Sequence, residues 1–377
     1  MGRHVTPESG LPRIALALAL PSLLVGFTIR SLGAQERAPS GEAVFRAACV
    51  NCHGADGRGA PLSTVGFAEP LPDFTDCSFT TPEPNTDWMA IVHEGGPARG
   101  FSRIMPAFGD ALSDEAIQLV VQYVRGFCTS RSWPRGELNL PRALVTEKAF
   151  PENEAVITSS VAVQGSGAVT SDLIYERRIG ARMQFEIDVP VSALDQGGGD
   201  WTSGIGDVAF GLKRVMFHSL ASGTIVSLTG EVVLPTGNAD KDLGKGTVVI
   251  EPFLTAGQIF PADFFVHTQI GVELPTDRSR ASEEAFFRGA LGKSFTQGRF
   301  GRMWSPMVEI LGARELVSGE TTQWDVLPEM QVTLSRRLHI RVNAGVRFPL
   351  TDAGSRSTEV LFYFLWDWFD GGLGSGW

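Results

Sequence analysis

Residues 181–191 read ARMQFEIDVPV, and the alternation in that run decides the fold of most of the chain. Met183, Phe185, Ile187, Val189 and Val191 fall on one face of an extended segment, and Arg182, Gln184, Glu186 and Asp188 on the other, because successive side chains of a strand point to opposite sides. The same period returns in LHIRVNAGVRFPL at 338–350, where Leu338, Ile340, Val342, Ala344, Val346 and Phe348 oppose His339, Arg341, Asn343 and Arg347. It returns again in DFFVHTQIGVELPT at 263–276, with Phe264, Val266, Ile270, Val272 and Leu274 against His267, Gln269 and Glu273.

Working outward from these runs, turn residues punctuate about twelve such segments between Glu154 and Phe369. A soluble barrel or sandwich would turn the apolar face into a core, whereas an outer-membrane barrel turns it to lipid and lines its lumen with the polar face. Ionisable residues on the polar face of nearly every strand favour the membrane barrel. So do Trp201, Trp304, Trp324, Trp366 and Trp368 near strand ends, where interfacial girdles form. The aromatic last segment, STEVLFYFLWDWF at 357–369, with Trp377 beyond it, reads as the closing strand. Lumen charges such as Glu186, Lys213, Glu231, Glu309, Glu329 and Arg341 are expected to pair across the interior and narrow it.

Upstream the pattern changes. The N-terminus carries Arg3 and Arg13, the apolar run from Ile14 to Phe27, and small residues before Ala34, which reads as an export signal over 1–34. An uncleaved anchor is the alternative, but the run is shorter than the roughly 20 residues a spanning helix needs. Export carries the chain to a compartment where disulfides persist.

In RAACVNCHGADG at 46–57, Cys49 and Cys52 stand three positions apart with His53 next to them. Two thiols at this spacing can each form a thioether with a haem vinyl group, leaving the histidine under the iron. A zinc site would need two further ligands at matching spacing, and none follows. One covalent haem c is therefore expected. Its sixth ligand is expected to be Met105, in a loop before a helix N-capped by Ser113 and striped by Ile117, Val120, Val121 and Val124. His93 competes less well beside its Gly-Gly-Pro loop, and Met89 reads as core. Closing both axial positions suits electron transfer rather than oxygen activation, so an electron carrier is expected and haem catalysis is the least favoured reading. The remaining cysteines, Cys77 and Cys128, read as a disulfide, with two buried thiols as the alternative.

The motif at Cys49–His53, the loop GADGRGAPL at 54–62, MPAF at 105–108 and the helix after it resemble the monohaem class I cytochromes c. That resemblance implies a small all-α domain over 35–128 and a role for the Pro61 carbonyl as acceptor of the His53 imidazole N–H. Cys77 and Cys128 lie outside the family pattern. A second resemblance, carried by GIGDVAFGLK at 204–213 and EVVLPTGN at 231–238, is to outer-membrane proteins of the phenol-degradation meta-pathway transporter type. It implies a barrel of the kind regarded as passing small apolar solutes.

Between the two domains, residues 129–153 carry Pro134, Pro141 and Pro151 without helical period and read as an extended linker, part of which packs on a neighbouring domain. The barrel occupies 154–377. The formal net charge of -10 argues against nucleic acid as a partner. Outer-membrane lipid and periplasmic redox proteins are the expected partners. An even-stranded barrel returns both its ends to the periplasm, which places the haem domain there. One haem cannot carry an electron across an apolar band about 25 Å tall. Two functions follow: an outer-membrane-anchored electron carrier, or a solute transporter with an accessory redox domain.

Overall fold

The computed structural model describes residues 40–164, 167–197 and 199–368. The export signal at 1–34 and the terminal Trp377 lie outside them. The N-terminal part is helical: α1 (Gly41–Ala48), α2 (Val50–His53), α3 (Leu62–Val65), α4 (Cys77–Thr80), α5 (Asn85–Glu94) and α6 (Asp114–Arg125). Ser40 caps α1 by accepting from the Ala43 N–H, and Ser113 caps α6 by accepting from the Ala116 N–H, each at 3.2 Å. These bonds satisfy donors that a helix start otherwise leaves unpaired. Val44 and Phe45 of α1 pack on Ala116, Val120 and Val124 of α6 with Phe74. The crossing is close enough that a Cβ at Gly41 would stand 2.1 Å from the Leu119 carbonyl oxygen, so only glycine fits. A disulfide joins Cys77 at the start of α4 to Cys128 just past α6, with Cα atoms 5.1 Å apart.

The strands are β1 (Glu154–Ala162), β2 (Ala168–Ile179), β3 (Met183–Asp195), β4 (Trp201–Ile205), β5 (Val208–Ser219), β6 (Thr224–Leu234) and β7 (Val249–Ile259). They continue as β8 (Phe264–Pro275), β9 (Glu284–Lys293), β10 (Phe295–Thr296), β11 (Met303–Glu315), β12 (Gln323–Thr333), β13 (Ile340–Pro349) and β14 (Glu359–Asp367). Twelve form a closed antiparallel barrel. The short β4 continues the β5 side of the pairing with β3, and β10 continues β9 against β11. Closure comes from β1 pairing with β14, Glu154 opposite Asp367. The chain thus enters and leaves the barrel at one rim.

Along each strand, one face is open and apolar. Phe210 and Leu212, Leu228 and Val232, Val308 and Ile310, and Phe362 and Phe364 are exposed, while Lys213, Ser227, Thr229, Glu309 and Tyr363 between or beside them are buried. A belt of that size in water would be untenable, and lipid is the medium that accepts it. The molecule is a transmembrane β-barrel preceded by a small helical domain. Among the described residues no helix is long and apolar enough to cross a membrane. Trp201 and Trp324 lie near one barrel end, and Trp304 and Trp366 near the other. The Trp368 ring is buried and stacks on Tyr175 at 5.9 Å.

The interior departs from the expectation. Residues 138–152 run inside the barrel and touch every one of the twelve strands. Arg142 Nη1 donates to Glu154 of β1 and Glu176 of β2 at 2.8 and 2.6 Å. The Glu152 N–H donates to Gln184 of β3 at 2.7 Å, Lys213 of β5 pairs with Glu147 at 3.4 Å, and the Ser227 hydroxyl of β6 donates to the Ala149 carbonyl. Leu140 packs beside Gly257 of β7 and, with Ala143, against Phe265 of β8 and Ala290 of β9. On the far wall the N–H groups of Val145 and Thr146 donate to Glu309 of β11 at 3.0 and 2.6 Å, and that of Leu144 donates to Glu329 of β12 at 2.9 Å. The Arg142 carbonyl accepts from Asn343 of β13 and Tyr363 of β14. The linker is a plug.

The physical reason lies in the backbone. An extended segment out of water has N–H groups that need acceptors, and the wall carboxylates and amides supply them. Glu309 and Glu329, expected to meet cations across the lumen, hold plug amides. Of the wall charges, Lys213 pairs with the plug, and Arg347 pairs with Asp325 and Arg341 with Asp367 on the adjacent strand.

Candidate functional site

Three residues of the predicted site come together at the α1–α2 junction. Cys49 caps α1, Cys52 sits in α2, and both thiols are free and half-buried. His53 ends α2, its ring stacked on Phe74 with centroids 4.8 Å apart. Burial holds the imidazole below its ordinary pKa and so neutral, the form that binds a metal. Burial, with Cys52 adding to it, pushes the Cys49 thiol up to about 11. The His53 Nδ1 is buried without a hydrogen-bond partner among the described residues. A neutral buried imidazole beside two unpaired thiols fits haem c: Cys49 and Cys52 would hold it and His53 would ligate its iron.

Pro61 is placed differently from the expectation. Its carbonyl starts α3, accepting from the Thr64 and Val65 N–H groups at 2.8 and 3.3 Å, and is not brought to His53. Met105 is half-buried on the loop between α5 and α6, its carbonyl accepting from the Gly96 N–H at 3.0 Å. Met89 is half-buried in α5. His93, at the end of α5, faces the barrel: its Nε2 lies 3.1 Å from Arg299 Nη1, and its ring centroid 5.5 Å from that of Phe300.

That contact belongs to a joint that sequence reasoning missed. Arg99 and Asp87 form a buried ion pair at 2.7 Å within the helical domain, and Arg99 Nη1 also donates to the Phe300 carbonyl at 2.8 Å. Arg337 reaches the Arg99 and Gly100 carbonyls. His339 meets Glu83 at 2.9 Å. No motif marks these residues, because segments about 200 positions apart in the chain supply them. Among the described residues, two clusters bring carboxylate and histidine atoms within 4.8 Å of one another: Glu147, Glu186 and Glu231 in the lumen, and Glu83, His339 and Asp367 at the joint. Lys213 pairs with Glu147 of the first at 3.4 Å, and Arg341 with Asp367 of the second at 3.1 Å.

Fold and site together define a cytochrome c domain carried on a transmembrane β-barrel. Residues 36–124 match the family model described as cytochrome c oxidase, cbb3-type, subunit III. No curated protein matches the chain. Among solved structures it aligns with the NanC porin at a TM-score of 0.41 and 7% identity, covering 57% of this chain and 99% of that one. It also aligns with an outer membrane channel from Pseudomonas putida F1 at a TM-score of 0.42 and 12% identity, covering 61% of this chain and 100% of that one.

Proposed function

We propose that this protein is an outer-membrane-anchored cytochrome that passes single electrons between periplasmic redox proteins. One haem c, bound covalently through Cys49 and Cys52, supplies the one-electron ferric/ferrous couple. His53 and Met105 would ligate its iron, a pairing that suits outer-sphere transfer and raises the potential relative to bis-histidine ligation. The donor is a reduced periplasmic protein and the acceptor an oxidised one. Each turnover moves one electron in and one out.

The observation that carries the anchoring role is the filled lumen. A solute channel needs a continuous wet path, and here residues 138–152 are bonded or packed to all twelve walls. The periplasmic side is supported by the connections. The rim beside the helical domain has the turns 180–182, 220–223, 260–263, 297–302 and 334–339, whereas the opposite rim has the longer loops 235–248, 276–283, 316–322 and 350–358. Outer-membrane barrels keep short turns in the periplasm and long loops outside.

The test is bilayer conductance and haem spectroscopy on one preparation of the full chain. A barrel without conductance, carrying a reducible low-spin haem, is expected. Substrate-selective flux would favour a transporter instead, and a high-spin ferrous haem that binds carbon monoxide readily would remove the electron-carrier reading.

A further inference from the structure

The loop that carries Met105 is gripped from two sides. Within the helical domain it is closed by backbone bonds: the Gly96 N–H to the Met105 carbonyl at 3.0 Å, the Phe101 N–H to the Gly96 carbonyl at 2.9 Å, and the Gly109 N–H to the His93 carbonyl at 2.9 Å. The fold is tight enough that a Cβ at Gly96 would stand 2.2 Å from the Ser102 carbonyl oxygen. From outside, two barrel turns reach the same loop. Arg337, in the turn 334–339, lies 4.2 Å from the Phe101 ring centroid and donates through Nε and Nη2 to the Arg99 and Gly100 carbonyls at 3.1 and 3.4 Å. In the turn 297–302, the Phe300 carbonyl accepts from Arg99, and Arg299 bridges His93 at 3.1 Å and Asp114 at 2.5 Å. Both ends of the segment that holds the methionine are thus tied to the barrel.

We infer that Arg337 and Arg299 are positioning residues for the axial methionine. The barrel rim keeps the Met105 loop closed, so anchoring and haem ligation are one mechanical unit. This rests on the reading of Met105 as an iron ligand. A planar guanidinium that stacks on a ring while donating to two carbonyls has geometry an ammonium cannot copy. Arg337→Lys should therefore rescue little. Losing the grip lets the loop open more often, which exposes the iron to added ligands and lowers the potential, because the thioether favours the ferrous state.

The experiment uses the full holoprotein in detergent, with cyanide as the probe. Arg337→Ala should bind cyanide at the ferric haem about tenfold faster, the equivalent of one net hydrogen bond. It should also lower the midpoint potential and weaken the methionine-to-iron charge-transfer band. Arg299→Ala should act in the same direction. Phe101→Leu removes the stacking partner but leaves the two carbonyl bonds, so it should reproduce part of the effect, and the double variant should match Arg337→Ala. Arg280→Ala, in the opposite-rim loop 276–283, should change nothing. If the wild type lacks the charge-transfer band, the assignment of Met105 fails. If the band is present but Arg337→Ala and Phe101→Leu keep wild-type cyanide rates and potential, the inference fails while that assignment stands. Heat-modifiable gel mobility identifies variants whose barrels have folded.

Discussion

Substituting Arg142 by alanine tests whether the linker is a structural plug. The guanidinium sits between Glu154 and Glu176 at 2.8 and 2.6 Å, with side-chain exposures of 9%, 0% and 0%. Removing it takes the ion-pair partner from Glu176 and leaves Glu154 only Lys148 at 3.6 Å, which Glu152 shares, and breaking a buried pair in this way costs about 3–5 kcal/mol. The backbone bonds at residue 142 survive: its N–H still donates to Gln331, and its carbonyl still accepts from Asn343 and Tyr363. The loss therefore falls on the charge cluster and not on the register of the plug. Urea unfolding in detergent, followed by the far-ultraviolet signal of the barrel, should show a lower midpoint with unchanged slope. Combining Arg142→Met with Glu154→Gln and Glu176→Gln should recover most of the loss, because the uncompensated charges are then gone. A wild-type midpoint in Arg142→Ala, or a triple variant no better than the single, would refute the argument.

Two further outcomes concern the helical domain. Burial and the nearby Glu83, working against Arg99, raise the Asp87 carboxyl from 3.8 to about 6. A raised folded value means that its contribution to stability is complete below pH 3.8 and is lost as pH rises through 6. The haem-band unfolding midpoint of the wild type should therefore fall across that window more steeply than that of Asp87→Asn, and parallel pH profiles would count against it. Cys77 and Cys128 lie 51 residues apart, and in the chain-entropy model opening that loop costs about 4 kcal/mol. The double serine variant should lower the thermal midpoint of the haem domain and leave the barrel's own transition in place, and an unchanged haem-domain midpoint would contradict this.

The strands were readable because lipid and lumen impose opposite polarity on neighbouring residues. Gln184 and Glu186, His267 and Gln269, and Asn343 face inward as the alternation assigns them. The reading overran at Leu338 and His339, which belong to a turn: Leu338 has a φ of 63°, and β13 begins at Ile340. The helical domain was legible for a similar reason, since caps and apolar stripes are local signals. The plug was not. Its apolar residues Leu138, Leu140, Leu144 and Phe150 hinted at burial, but an extended, proline-broken segment has no period to say against what.

By itself, the sequence determined the haem-binding motif, the helices around it, the twelve membrane strands and which face of each meets lipid. All of these follow from spacing within a few residues and from the solvent each face must satisfy. Only the tertiary structure decided that the linker occupies the lumen and that barrel turns hold the methionine loop. Those contacts join residues such as Leu144 and Glu329, or Arg99 and Phe300, across separations of 185 and 201 positions. Their chemistry, a carboxylate or carbonyl accepting from an N–H, is available at many places along the chain, and it becomes specific only when the closed barrel sets which acceptors face inward and which turns face the haem domain.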